Sequence, residues 1–202
     1  MKTACHQSGR SSGEGLASRR RTPGRPSGSA RTVSGVGERL EPAKWYASLP
    51  SFLASASAII TSPAGDAVLT VKPNYRTWWN IPGGILEGDE PPHACCAREV
   101  AEELGLHRPL GRLLVVDWVA PTTQRRAWFG FVFDGGVLDD PAAVTIHSEE
   151  LDDFEFTPVD QLRERLTANT ADRVHAALCA RAAGNVAYLH GGAPVQHADY
   201  AV

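Results

Sequence analysis

Residues 84–106 read Gly84-Ile-Leu-Glu-Gly-Asp-Glu90-Pro-Pro-His-Ala-Cys-Cys-Ala-Arg98-Glu99-Val100-Ala-Glu102-Glu103-Leu-Gly105-Leu106. The stretch is punctuated at both ends. Pro82, Gly83 and Gly84 predict a turn in which backbone can approach a ligand closely. A helix is expected to start near Pro91 and Pro92, since proline is tolerated in a first helical turn, and Gly105 is placed to stop it. Glu99, Glu102 and Glu103 stand at i, i+3 and i+4, so they share one face of that helix.

Three carboxylates on one face repel each other. No lysine lies between Gly84 and Leu106, the only fixed cation there is Arg98, and His93 is read as neutral. Carboxylates clustered without compensating bases suit a hard divalent cation, Mg²⁺ or Mn²⁺, which prefers oxygen ligands. A solvated acidic helix face would have the same composition. On the helix alone both readings stay open.

The spacing carries more information than the helix. Gly84 is followed after five residues by Glu90, after seven more by Arg98-Glu99-Val100, then by Glu102-Glu103 and Gly105-Leu106, each after one residue. This series resembles the Nudix box at every defining position, and Trp79-Asn80-Ile81-Pro82-Gly83 resembles its usual lead-in. The resemblance implies a domain over about Leu49 to Ala183. It also implies an α/β fold: a Nudix-type α/β/α sandwich with a mixed β-sheet, the box forming a loop–helix–loop.

The resemblance also implies roles. Glu99 and Glu103 would be metal ligands, Glu102 a ligand or close support, and the Gly83 carbonyl a further oxygen donor. Arg98 would orient Glu99 or Glu90 by charge-assisted hydrogen bonds, and Glu90 would support the loop or a metal-bound water. The general base would be a box glutamate or an acidic residue before a late strand. Glu149 or Glu150 fills that position, although a solvated turn would look the same. The implied substrate is a small nucleotide diphosphate, and related domains are often homodimers.

Substrate residues are read from the side chains. Trp78, Trp79, Trp118 and Trp128 can stack a base, but strand position favours the core for Trp128. Arg76, Arg125 and Arg126 can hold phosphate, though loop arginines are commonly just solvated. The working set is Arg76, Trp79 and Arg126.

The remaining chain sets limits. Residues 1–35 hold seven Lys/Arg and one acid, a balance of +6, which leaves −9 for residues 36–202 against −3 overall. An acidic body is a poor match for a nucleic-acid duplex. Cys5, Cys95, Cys96 and Cys179 contain no C-x-x-C pair, which argues against a zinc site. Cys95 and Cys96 read as small packing residues in a reducing cytoplasm. No segment has the apolar length to span a membrane.

Residues 1–44 are rich in Ser, Gly, Arg and Pro, and are expected to be disordered, as a tail, a start called too early or a transit segment. The globular domain is drawn over 45–183 and a loose tail over 184–202. Strands are expected at 52–61, 67–72, 85–86, 112–119, 127–133 and 151–156, with a turn at Asp134-Gly135-Gly136. Helices are expected at 158–166, capped by Thr157-Pro158, and at 170–183.

The favoured activity is a metal-dependent pyrophosphohydrolase acting on a nucleotide sugar, ADP-ribose or a related compound. Two other classes share the scaffold. A ligand-sensing regulator usually adds a DNA-binding module and often has a damaged box, whereas here the box is intact and the C-terminal region is too short and not basic. An isoprenoid diphosphate isomerase needs an active-site cysteine, for which Cys179 in a late helix is poorly placed.

Overall fold

The computed structural model describes residues 41–146 and 149–195. Most of the segment expected to be disordered therefore lies outside the described residues. Its end is helical: α1 (Pro42–Ala47) has proline in its first turn, and the Ser48 hydroxyl donates to the Trp45 carbonyl at 2.6 Å. The chain divides into two units, Met1–Pro50 and Ser51–Val202. Among the described residues no helix is long and apolar enough to cross a membrane.

The second unit holds β1 (Leu53–Thr61), β2 (Ala67–Pro73), β3 (Gly83–Ile85), α2 (Pro92–Leu104), β4 (Leu113–Val119), β5 (Trp128–Val137) and β6 (Leu151–Pro158). These are followed by α3 (Leu162–Arg165), α4 (Ala168–Ala183), β7 (Ala187–His190) and β8 (Ala193–Pro194). The sheet is ordered β6-β2-β1-β5-β4-β7-β8, and β3 pairs with β1. It is mixed: β1 with β5 and β4 with β7 run parallel, and the other pairs antiparallel.

Alternation along β1 explains the layers. Ala56, Ala58 and Ile60 face α2, joining Cys95, Cys96, Val100 and Leu104 in one core cluster. Ile59 faces the other way, joining Val174, Ala177 and Ala180 of α4 in a second. One helix on each face of the sheet makes the expected α/β/α sandwich. α2 begins behind Pro91 and ends at Gly105, whose φ of 67° is the left-handed stop that glycine adopts freely.

Four expectations are corrected. Gly83 and Gly84 do not turn; they pair with Ser57 and Ala56 as strand β3. Asp134-Gly135-Gly136 is not a turn either, because β5 continues through it with a register shift opposite Ile59 and Ile60. Thr157-Pro158 ends β6 instead of capping a helix. The buried Thr157 hydroxyl bonds that of Thr70 at 2.7 Å, and a 3₁₀ turn at Val159–Gln161 leads into the short α3. The helix that is capped by threonine is α4, where Thr167 accepts from the Thr170 N–H.

The fourth correction concerns 184–202. Residues 187–190 are not loose: they form β7, parallel to β4, with Leu189 fully buried and Gly184 capping α4 at φ 71°.

Candidate active site

β1 is built from Ser and Ala over residues 54–58, and those small side chains let β3 lie against it at the level of α2. The two glycines of β3 are there because other atoms occupy the space of a side chain. A Cβ on Gly84 would lie 2.1 Å from the Glu99 carboxylate, and one on Gly83 would lie 2.3 Å from the Ala56 carbonyl. The Gly83 N–H donates to Glu103 at 2.9 Å.

Electrostatics divide the glutamates. Burial pushes the Glu103 carboxyl up to about 8; the Gly83 N–H opposes the shift, and repulsion from Glu99, Glu150 and Glu102 adds to it. Burial raises Glu99 as well, against the pull of Arg98. Glu90 moves the other way, to about 2, because Arg98 and then the Glu87 N–H bind its charged form. Arg98 gathers three carboxylates, at 2.8 Å from Glu90, 2.9 Å from Glu99 and 2.8 Å from Glu102.

These groups open into a cavity of about 710 Å³, within the range of small-molecule sites. Glu99, Glu102, Glu103, Arg98, Gly83, Glu150, Arg76 and Trp79 all line it. Arg126 does not: its guanidinium donates to Ser51 at 2.7 Å, and Arg125 is the loop arginine on the wall. Glu90 is also off the wall, one step behind it through Arg98.

Trp128 is not core. It lines the cavity, with its Nε1–H on Ser55 at 2.8 Å, because the facing residues on its side of the sheet are serines and Gly130 and leave room. Trp118 instead packs edge-on against Phe52 and Phe129. Sequence reasoning missed Ser55, Thr167, Thr170 and Arg173, which line the cavity beside Trp128. A signal was there: Asp117 sits inside the apolar run Leu113–Val119, and a charge in a buried strand needs a partner.

The NUDIX domain family model matches residues 51–178. The chain belongs to the NUDIX family. Diphosphoinositol polyphosphate phosphohydrolase 2 of Rattus norvegicus is 48% identical over 50 residues, 24% of this chain and 28% of that protein. Diphosphoinositol polyphosphate phosphohydrolase 3-alpha of Mus musculus is 46% identical over 52 residues, 25% of this chain and 32% of that protein. The chain thus spans less than a third of the length of either relative.

Among solved structures, a UDP-X diphosphatase superposes with a TM-score of 0.59 at 20% identity, covering 74% of this chain and 75% of that one. The NUDIX domain of Shewanella oneidensis NrtR, complexed with ADP ribose, gives 0.54 at 16% identity, over 68% and 97%. The MutT protein from Methanosarcina mazei Go1 gives 0.54 at 21% identity, over 66% and 95%. These likenesses describe the fold.

The Nudix box thus presents two half-buried carboxylates, Glu99 and Glu103, beside the exposed Glu102, mutually repelling and with one arginine among them. That donor set fits a hard divalent cation. Among the described residues, however, no three His, Cys, Asp or Glu side chains converge as they stand on one ion. The ion pairs of Arg98 with Glu99 and Glu102 explain the spread, and holding an ion would require those pairs to loosen.

Proposed function

We propose that this protein hydrolyses the phosphoanhydride bond of a nucleoside diphosphate linked to a second group, such as a nucleotide sugar or ADP-ribose, with Mg²⁺ or Mn²⁺ as cofactor. The observation that carries the reading is the row of Glu99, Glu102 and Glu103 along one wall of a cavity that also holds Arg76, Trp79 and Glu150. Membership of the NUDIX family supports it.

The ion would be held by Glu99, Glu103 and Glu102 with the Gly83 carbonyl. When bound it supplies neutralisation of the phosphate charge and a lowered pKa for the attacking water. The chain's own groups do the rest. Arg98 orients Glu99 and Glu102, with Glu90 anchoring Arg98 from behind. Glu103 is aimed by the Gly83 N–H. Glu150, close enough to Glu103 to raise its pKa, is the candidate to take the proton of the water that attacks phosphorus. The P–O bond of the bridge then breaks, and two phosphate products leave. Arg76 and Trp79 line the same cavity, and in this reading Arg76 holds phosphate by charge while Trp79 stacks on the base. A cytoplasmic homodimer that binds neither duplex nor membrane belongs to the same reading.

The test is product release from a panel of ADP-ribose, sugar nucleotides, dinucleoside polyphosphates and nucleoside triphosphates, with Mg²⁺, Mn²⁺ or EDTA. Metal-dependent turnover of one class is expected. Tight binding with no turnover would favour a ligand sensor instead.

A further inference from the structure

One lobe of the cavity has a chemistry that the glutamates do not explain. β3, β1, β5 and β4 lie side by side, with Gly84 opposite Ala56, Ser55 opposite Gly130, and Gly130 opposite Asp117. Asp117 therefore stands three strand spacings, about 14 Å, from the row that carries the box glycines. It is fully buried. Its Oδ2 accepts from Arg173 Nε at 2.9 Å and Nη2 at 2.7 Å, and its Oδ1 accepts from the Gly192 N–H at 3.1 Å.

That ion pair turns Arg173 into a particular kind of donor. Two of its five N–H groups are locked on Asp117, which fixes the plane of the guanidinium. The others have no partner among the described residues, and the side chain, about a fifth exposed, lines the cavity. The charge is already neutralised by Asp117, so the remaining donors suit neutral oxygen acceptors better than a phosphate. Thr167, the cap of α4, and Thr170 line the same wall as Arg173, with their hydroxyls bonded to each other at 2.9 Å. Ser55 accepts from Trp128, which leaves its own O–H free to donate, and pins the indole against the lobe.

A planar aromatic wall beside hydroxyls and a neutralised guanidinium matches one class of ligand. A sugar ring has an apolar C–H face and a rim of hydroxyls that both donate and accept. We infer that the lobe formed by Ser55, Trp128, Thr167, Thr170 and Arg173 is a polyol subsite, and that the group linked to the diphosphate is a sugar. The inference rests on the proposed hydrolase reading for the position of the diphosphate.

The test compares substrates that differ only in that group. UDP-glucose and ADP-ribose would be set against the methyl esters of UDP and ADP, which keep the anhydride and lack the sugar. Native protein is expected to favour each sugar compound by about tenfold or more in kcat/KM, mainly through KM, since buried donors left unpaired penalise the analogue. Ser55→Ala and Arg173→Lys should bring each pair to the same kcat/KM. Lysine has one rotatable nitrogen in place of the planar fork, so it cannot grip Asp117 from two nitrogens and keep fixed donors aimed into the lobe. Equal rates on both members of a pair in native protein would overturn the inference. So would variants that lower both rates in the same proportion, the mark of a purely structural ion pair. Should Arg173→Lys fail to fold, Ser55→Ala and Thr170→Val decide alone.

If nothing is hydrolysed, the hydrolase reading fails, and saturation-transfer NMR with UDP-glucose decides the subsite separately. Transfer to the sugar C–H protons that is lost in Ser55→Ala supports it, and transfer to the uridine alone overturns it.

Discussion

Glu103 is the residue on which chemistry and stability meet. Its carboxyl is buried and titrates near 8, against an ordinary 4.5. A group whose folded pKa is raised favours the protonated folded state, so metal-free protein should lose stability as pH rises from about 4.5 to about 8. Glu90 has the opposite sign: held near 2, it contributes stability above 4.5 that is lost as pH falls toward 2. Thermal melts in EDTA check the first claim. The native melting temperature should decline toward pH 8 while that of Glu103→Gln, which cannot ionise there, stays flatter; parallel curves would sink it. The same variant removes one anionic donor, and hydrolysis in Mg²⁺ should fall by about a hundredfold or more with the fold intact. Proton and metal compete for one carboxylate, so Mg²⁺ affinity measured by calorimetry should rise with pH up to about 8 in native protein and lose that rise in Glu103→Gln.

At the scale of elements, α2 and β3 differ in how much of them could be read. The helix was legible because its prolines, its Gly105 stop and its acidic face are local features. β3 was not, because a Pro-Gly-Gly sequence carries turn chemistry by default. What makes it a strand is non-local: β1 offers small residues at Ala56 and Ser57, against which only glycine can pair so closely. The two glycines should therefore fail differently. Gly83 has φ 139°, and its Cβ would strike the Ala56 carbonyl, so Gly83→Ala should destabilise the fold by about 3 kcal/mol or more. The three atoms nearest a Cβ on Gly84 all belong to the Glu99 carboxylate, a side chain that can swing away. Gly84→Ala should keep most of its stability in urea and lose most of its kcat. Equal stability losses in the two variants would refute the distinction.

For the whole molecule, the deciding segment is the one that sequence reasoning discarded. Ala187-Tyr188-Leu189-His190 has a single fully buried side chain, Leu189, too short a pattern to distinguish a strand from a tail. Its partner could not be inferred either, since a parallel strand on β4 is a long-range pairing reached only after α4 has crossed the sheet. Asp117 reports what the segment does. That carboxylate is buried in β4, and one of its three hydrogen bonds comes from Gly192, beyond β7. The C-terminal strands thus close the sheet edge and complete the ion pair that fixes Arg173. Leu189→Ala should lower unfolding free energy by about 3 kcal/mol through the cavity it leaves. Removal of residues 184–202 should be worse than that point change, because it uncovers β4 and takes a donor from a buried charge. Urea unfolding of the full chain, the point variant and the truncation checks the order; a truncation as stable as the full chain would return the segment to the status of a tail.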